Sequence, residues 1–118
     1  MKKAIVTGSI EIPKEIWNKK FHSIIRILDT SFEDAPAVTI AETRIDYLPI
    51  KPGGKNTLPF ELSIDTEIIP SHDYTVSVLI DLDGDGIISK NDYIQKQSYH
   101  AILQGKTKEG ILIELQKV

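Results

Sequence analysis

The sequence predicts an all-β protein, specifically an antiparallel β-sandwich of about seven strands. Apolar and polar residues alternate with a period of two along several segments, and turn-forming residues separate these segments. The length of 118 residues suits one domain, and we expect a single β-sandwich domain over residues 1–118. Hydrophobic residues are 41% and charged residues 26% of the chain, which is typical of a globular protein.

Three segments carry the clearest strand pattern, with one apolar and one polar face. They are 57–65, 73–81 and 110–117. Four further segments are weaker strand predictions, namely 3–12, 21–29, 37–48 and about 94–104. A helix over 13–28 is the alternative for the second of these, because Trp17, Phe21 and Ile24 keep helical spacing. The isoleucine-rich residues 23–28 favour the strand, since β-branched side chains prefer extended backbone.

Tyr74 stands at the start of a predicted strand, just after a corner that contains Pro70. This placement fits a tyrosine corner, in which the phenol hydroxyl bonds to the backbone a few residues upstream. The alternative is a tyrosine that simply packs at the edge of the core. Trp17 is the only tryptophan, and a core or lid position is favoured over a surface that stacks on a sugar.

The composition excludes several classes of function. The net charge is −3, so there is no basic excess to bind a run of phosphates, and nucleic-acid binding is not expected. The chain has no cysteine, which excludes disulfides, thiolate nucleophiles, cysteine-based zinc sites and lipid attachment at a cysteine within these residues.

We expect no transmembrane segment, because no apolar run approaches the roughly 20 residues that a membrane helix needs. The apolar run at 4–6 is also too short for a signal peptide. Two locations remain open. The protein is cytoplasmic, or it is a trimmed form of an envelope or extracellular protein.

Residues 81–92 match the twelve-residue calcium loop of EF-hands. Gly86 takes the position of the sharp turn, and Ile88 is expected to tie the loop to the core or a neighbouring strand. The predicted Ca²⁺ ligands are carboxylate, hydroxyl and backbone oxygens, which are the donors that this hard cation prefers. They come from Asp81, Asp83, Asp85, Ile87, Ser89 and Asp92.

The loop concentrates negative charge. Its four aspartates and Lys90 account for all of the net charge of −3, so a divalent cation would relieve their repulsion and couple binding to folding. Asp92 stands where EF-hands usually have glutamate and resembles the shorter loops of dockerin modules. Ser89 and Asp92 could also form a capping box for one helical turn. The alternative to the metal site is an acidic hairpin turn, since aspartate and glycine favour turns anyway.

The entering segment of the loop is a predicted strand rather than the helix of an EF-hand, and we see no second loop. A structural ion is therefore favoured over a sensing one, which needs helix pairs that open. We expect no enzymatic activity. The three histidines show no zinc spacing, and no nucleophile elbow supports a hydrolase. His100 is expected on a strand surface, and His72 in a turn.

Five segments of the chain carry a family resemblance by their order and spacing. They are VTGSIEIP (6–13), DTSFEDAPAVTIAETRI (29–45), LPFELSID (58–65), IIPSHDYTVSVLID (68–81) and SYHAILQG (98–105). Over about residues 5–104 the chain resembles the YscW/YbaY-like lipoprotein family, the type III secretion lipoprotein chaperones and their relatives. The resemblance implies a small β-sandwich, usually attached to the envelope, that acts as an assembly chaperone or has no assigned role. The sequence departs from relatives in lacking the lipid-bearing cysteine and in carrying the calcium loop.

Together these observations predict a non-enzymatic, calcium-binding β-sandwich module with a protein partner. The envelope or the cell exterior is the favoured setting, because the millimolar calcium there would fill even a weak site. A partner could add a strand to an exposed sheet edge. The alternative is a carbohydrate-binding or surface-adhesion module, with Trp17 and tyrosines in the ligand patch.

Overall fold

The structure is a computed structural model, and it describes residues 4–17, 19–31, 35–47, 57–82, 84, 88, 90–103, 106–107 and 109–118. Ten strands and one short 3₁₀ turn, Lys14–Ile16, are found in these residues. The strands are β1 (Ala4–Glu11), β2 (Phe21–Asp29), β3 (Val38–Tyr47), β4 (Thr57–Ile64), β5 (Tyr74–Asp81), β6 (Tyr93–Gln95), β7 (Tyr99–Leu103), β8 (Lys106–Thr107), β9 (Ile111–Ile113) and β10 (Leu115–Lys117).

The described strands form two sheets. The smaller has the order β4-β1-β9, with β1 antiparallel to β4 and parallel to β9. The larger follows the path β10-β6-β5-β2-β3, and β7 pairs with both β5 and β8. This all-β, sandwich-like arrangement confirms the predicted fold class. The antiparallel pattern has one exception, the parallel pair of β1 and β9.

The core contains side chains from both sheets, since each strand directs alternate residues inward. On β4, Phe60, Leu62 and Ile64 are buried while Glu61 and Ser63 are exposed, as the alternation predicts. The predicted inner face of β5 is buried as well, at Tyr74, Val76, Val78 and Ile80. The helix alternative over 13–28 is wrong, because β2 begins at Phe21 and only the Lys14–Ile16 turn precedes it.

Two predicted strands are each divided. The segment 94–104 becomes β6 and β7, which both pair with β5. Where the partner of β5 changes from β6 to β7, the side chain of Gln95, the last residue of β6, supplies the hydrogen bond, since its Oε1 accepts the Val78 backbone N–H at 3.0 Å. The segment 110–117 becomes β9 and β10, and the chain passes from one sheet to the other at Glu114. The Tyr99 hydroxyl accepts the Glu114 N–H at 2.8 Å and supports this crossing.

Tyr74 forms the predicted tyrosine corner. Its side chain is buried, and its hydroxyl accepts the Ile69 backbone N–H at 2.9 Å. The same corner contains a hydrogen bond between side chains, in which His72 Nδ1 lies 2.7 Å from Asp29 Oδ2. Burial acts to raise the pKa of Asp29, but hydrogen bonds from His72 and from Ser31 outweigh it and lower that pKa below its ordinary value. The corner therefore fixes the start of β5 against the end of β2.

Replacing Tyr74 with phenylalanine is expected to destabilise the protein by about 1 kcal/mol, because the Ile69 N–H loses its acceptor. Tyr93→Phe is the matched control, since the Tyr93 hydroxyl has no hydrogen-bond partner among the described residues. Urea unfolding of the three proteins measures both free energies. Equal stability of the two variants would contradict the assignment of the corner.

Candidate functional site: the 81–92 loop and the adjoining groove

The two ends of the predicted calcium loop are buried carboxylates. Asp81 ends β5 and Asp92 precedes β6, and both side chains are fully shielded from solvent. Asp81 Oδ1 accepts the Gly84 N–H at 2.9 Å, and Asp92 Oδ1 accepts the Leu82 N–H at 3.1 Å. Both aspartates have further interactions. Positions 1 and 12 of the motif therefore lie together at the base of the loop.

Four of the predicted calcium ligands, Asp83, Asp85, Ile87 and Ser89, lie outside the described residues. The described residues alone contain no cluster of three or more metal-ligating side chains. The carboxylate oxygens of Asp81 and Asp92 are donors of the kind that Ca²⁺ prefers, and the calcium site remains a prediction.

Two details of the predicted loop are wrong. Ile88 does not tie the loop to the core, since it is 58% exposed. Asp92 does not serve a capping box, because its carboxylate turns back to the Leu82 N–H and no helical turn follows among the described residues. Instead the backbone bends at Gly84 and Asn91, where φ is +77° and +84°. These left-handed positions suit glycine and asparagine and bring the loop ends together.

A row of polar residues crosses the sheet beside the loop. His22 on β2 pairs in register with Asp46 on β3 and with Asp81 on β5. His22 Nδ1 lies 2.5 Å from Asp46 Oδ1, and this hydrogen bond lowers the pKa of Asp46. On its other side the His22 ring lies next to Gly84 of the loop. The imidazole thus bridges an exposed carboxylate and the base of the loop.

A groove of about 680 Å³ opens next to the loop. Its walls come from the segment around the 3₁₀ turn, from the loop ends, and from β6 and β10. The lining residues are Pro13, Glu15, Ile16, Lys19, Leu82, Asn91, Tyr93, Leu115 and Lys117. A second cavity of about 310 Å³ shares Pro13, Glu15 and Leu115 with it and reaches Trp17 and Glu114. Leu82 follows Asp81 and Asn91 precedes Asp92, so the groove and the loop are adjacent.

Tyr93 is the buried aromatic side chain of this groove. Burial raises the pKa of its phenol, and the negative charge of Glu15 raises it further. Like any phenol, the hydroxyl is protonated at neutral pH, and it can donate a hydrogen bond to a ligand. Sequence analysis did not predict this groove, because it depends on how three distant segments meet.

Of the remaining candidate residues, Trp17 and His72 form hydrogen bonds within the chain, and His100 is exposed. Trp17 is half-buried against the core and donates its indole N–H to the Ile12 carbonyl at 2.7 Å, which confirms the core or lid position. His100 is exposed on β7, as predicted. His72 lies in the turn before β5 and pairs with Asp29, a contact between residues 43 positions apart that sequence analysis missed.

The fold and the site define a class of protein, a small β-sandwich whose open groove lies at a sheet edge. Among the described residues no helix is long and apolar enough to cross a membrane. The family model described as "Type III secretion system lipoprotein chaperone (YscW)" matches residues 1–112. The chain therefore belongs to the YscW family, as its sequence indicated.

A solved structure supports the same assignment. The chain is similar to an alternative pilotin from the type II secretion system of Vibrio cholerae, with 26% sequence identity and a TM-score of 0.73. The match covers 99% of this chain and 98% of the pilotin chain. A comparison with curated proteins finds no match. Family and neighbour are both secretion-associated proteins, and the family is of the chaperone type.

Proposed function

We propose that the protein is a non-enzymatic chaperone that binds a protein subunit of a secretion system in the cell envelope or at the cell exterior. The observation that carries the proposal is the match to the pilotin over nearly the whole of both chains. The YscW family description supports the same function, since its members are described as lipoprotein chaperones of a secretion system. The groove beside β10 offers such a partner a surface with both apolar and charged side chains.

Chemical crosslinking of the protein in envelope fractions of its source cells, followed by mass spectrometry, tests this function. The expected result is enrichment of a subunit of a secretion apparatus over an unrelated β-sandwich protein used as control. Crosslinks that match those of the control protein would contradict the proposal.

We also propose that residues 81–92 bind one structural Ca²⁺. The motif supports this, because five of its six ligand positions carry a carboxylate or hydroxyl side chain and Ile87 offers a backbone carbonyl. The burial of Asp81 and Asp92 at the loop base also supports it, since buried carboxylates gain most from a neighbouring cation. The bound ion would neutralise the loop and hold its two ends in place.

Calcium is expected to stabilise the wild-type protein by about 2 kcal/mol when its concentration is well above the Kd, because the ion binds only the folded state. Asp81→Asn should lose this gain, since it removes one charged ligand. Glu61→Gln, on the exposed face of β4, is the matched control and should keep it. Thermal melting in calcium and in chelator measures the effect. If the wild-type protein had the same melting temperature in calcium and in chelator, the calcium site would be refuted and the loop would be an acidic turn without a metal.

A further inference from the structure

Among the described strands, β10 lies at an edge of the larger sheet, with backbone groups that point outward. It ends the path of the larger sheet, with β6 on its inner side. The Lys96 N–H donates to the Glu114 carbonyl, and the Val118 N–H donates to the Asp92 carbonyl, both at 2.8 Å. These bonds direct the backbone groups of Glu114, Gln116 and Val118 toward β6. Since strands alternate, the N–H and C=O groups of Leu115 and Lys117 point away from β6.

The same two residues line the groove. A strand paired with β10 would direct its alternate side chains to the face shared by Leu115 and Lys117, because residues opposite each other in a sheet share a face. Those side chains would enter the groove and face Ile16 and Leu82 across it. Backbone pairing and apolar burial would therefore occur together, which is the arrangement that strand addition requires.

Within its lining the groove has more positive than negative side chains, which favours an acidic side chain of the partner at that place. Lys19 and Lys117 are exposed, and neither ammonium lies within 4.0 Å of a carboxylate among the described residues. Glu15 is the other charged residue in the lining. A carboxylate near the two lysines would gain Coulomb energy that a basic side chain could not.

We infer that β10 accepts an extended segment of a protein partner, which pairs with the Leu115–Lys117 edge and carries alternating apolar side chains and an acidic residue near Lys19 and Lys117. This inference rests on the proposed protein-binding function and names its site. The bound segment is extended, so binding of a helical segment or of a second copy of the chain at β10 would contradict the inference.

Three synthetic, end-blocked peptides test the inference by NMR titration of the full chain. The first alternates valine and threonine and ends with one aspartate, the second has lysine in place of the aspartate, and the third is an amphipathic helical peptide. The acidic extended peptide should shift the amide signals of Leu115 and its neighbours in a saturable way, and it should bind more tightly than the other two. No saturable shift on β10 up to about 5 mM peptide would overturn the inference, as would tighter binding of the helical peptide.

Variants at Lys117 separate the backbone contribution from the side-chain charge. Lys117→Pro removes an outward N–H, and proline is tolerated at that side of an edge strand. Lys117→Ala removes the same charge but keeps the N–H. We expect Lys117→Pro to weaken binding about fivefold relative to Lys117→Ala, which is the effect of losing one hydrogen bond. Equal binding of the two variants, with both shown to be folded by their melting curves, would exclude strand pairing.

NMR at different protein concentrations and crosslinking of Lys117→Pro test the β10 site separately from the proposed function. A shift of β10 signals with protein concentration alone would show that a second copy occupies the edge, and it would overturn the inference. Envelope crosslinking that captures a secretion subunit equally with Lys117→Pro and with the wild type would overturn this site while the proposed function stands. Failure of wild-type crosslinking would instead count against the function.

Discussion

Replacing Gly8 with alanine is expected to destabilise the protein by about 3 kcal/mol, because there is no room for a methyl group at this position. A Cβ on Gly8 would lie 2.5 Å from the Ile111 carbonyl oxygen and 2.7 Å from Cζ of the Phe60 ring. Gly8 pairs with Phe60 on β4 and with Ile111 on β9. The phenyl ring can shift, but the carbonyl belongs to the backbone of the neighbouring strand. The methyl group therefore acts against the parallel pairing of β1 and β9.

Gly110→Ala is the matched control for this experiment. Gly110 has a φ of +65°, and among the described residues no heavy atom of another segment would lie within 4 Å of a methyl group added there. Its replacement should cost about 1 kcal/mol through backbone conformation alone. Urea unfolding gives both free energies. If Gly8→Ala were as stable as Gly110→Ala or the wild type, the close approach of β1 and β9 would be refuted.

Ile10→Ala is expected to lower the free energy of unfolding by about 3 kcal/mol, since it removes three carbons from a fully buried site and leaves a cavity. Ile10 pairs with Leu58 on β4 and with Ile113 on β9, in the middle of the smaller sheet. Ile5 on the same strand points to the other face and is 42% exposed. Ile5→Ala should therefore cost less than about 1 kcal/mol.

Chemical denaturation of these two variants checks which face of β1 meets the core. Similar losses for Ile5→Ala and Ile10→Ala would contradict the assigned register, because a shift of one residue exchanges the two faces of a strand. The experiment also tests whether the smaller sheet contributes to the same cooperative unit as the larger one.

The strand pattern was predictable because one face of most strands is buried, and burial imposes a period of two on the sequence. β4 and β5 show this directly. The divisions of 94–104 and of 110–117 were not predictable, since they depend on partners far along the chain. The Gln95 side chain accepts a hydrogen bond from the backbone of β5 that a neighbouring strand would otherwise accept, and at Glu114 the chain passes to the other sheet. Neither event alters the local alternation of apolar residues.

The candidate site was predictable in part for the same reason. A motif that is local in sequence identified Asp81 and Asp92, and the structure brings both to the base of one loop. The groove joins the loop ends and β10 to the 3₁₀ turn, which lies more than 60 residues before them in the chain. Periodicity and local motifs do not show which distant segments lie next to each other in the fold. The exposure of Ile88 is also a result of tertiary structure, which the motif alone does not predict.

If residues 81–92 bind Ca²⁺ as proposed, the position of Leu82 and Asn91 would couple partner binding in the groove to that ion. Each residue lines the groove and is bonded covalently to one of the buried aspartates, Asp81 or Asp92. An ion that fixes the conformation of the loop would also fix the positions of these two groove residues. Thermodynamic linkage would then make the effect mutual, so that the partner would change the affinity for calcium by the same factor by which calcium changes the affinity for the partner.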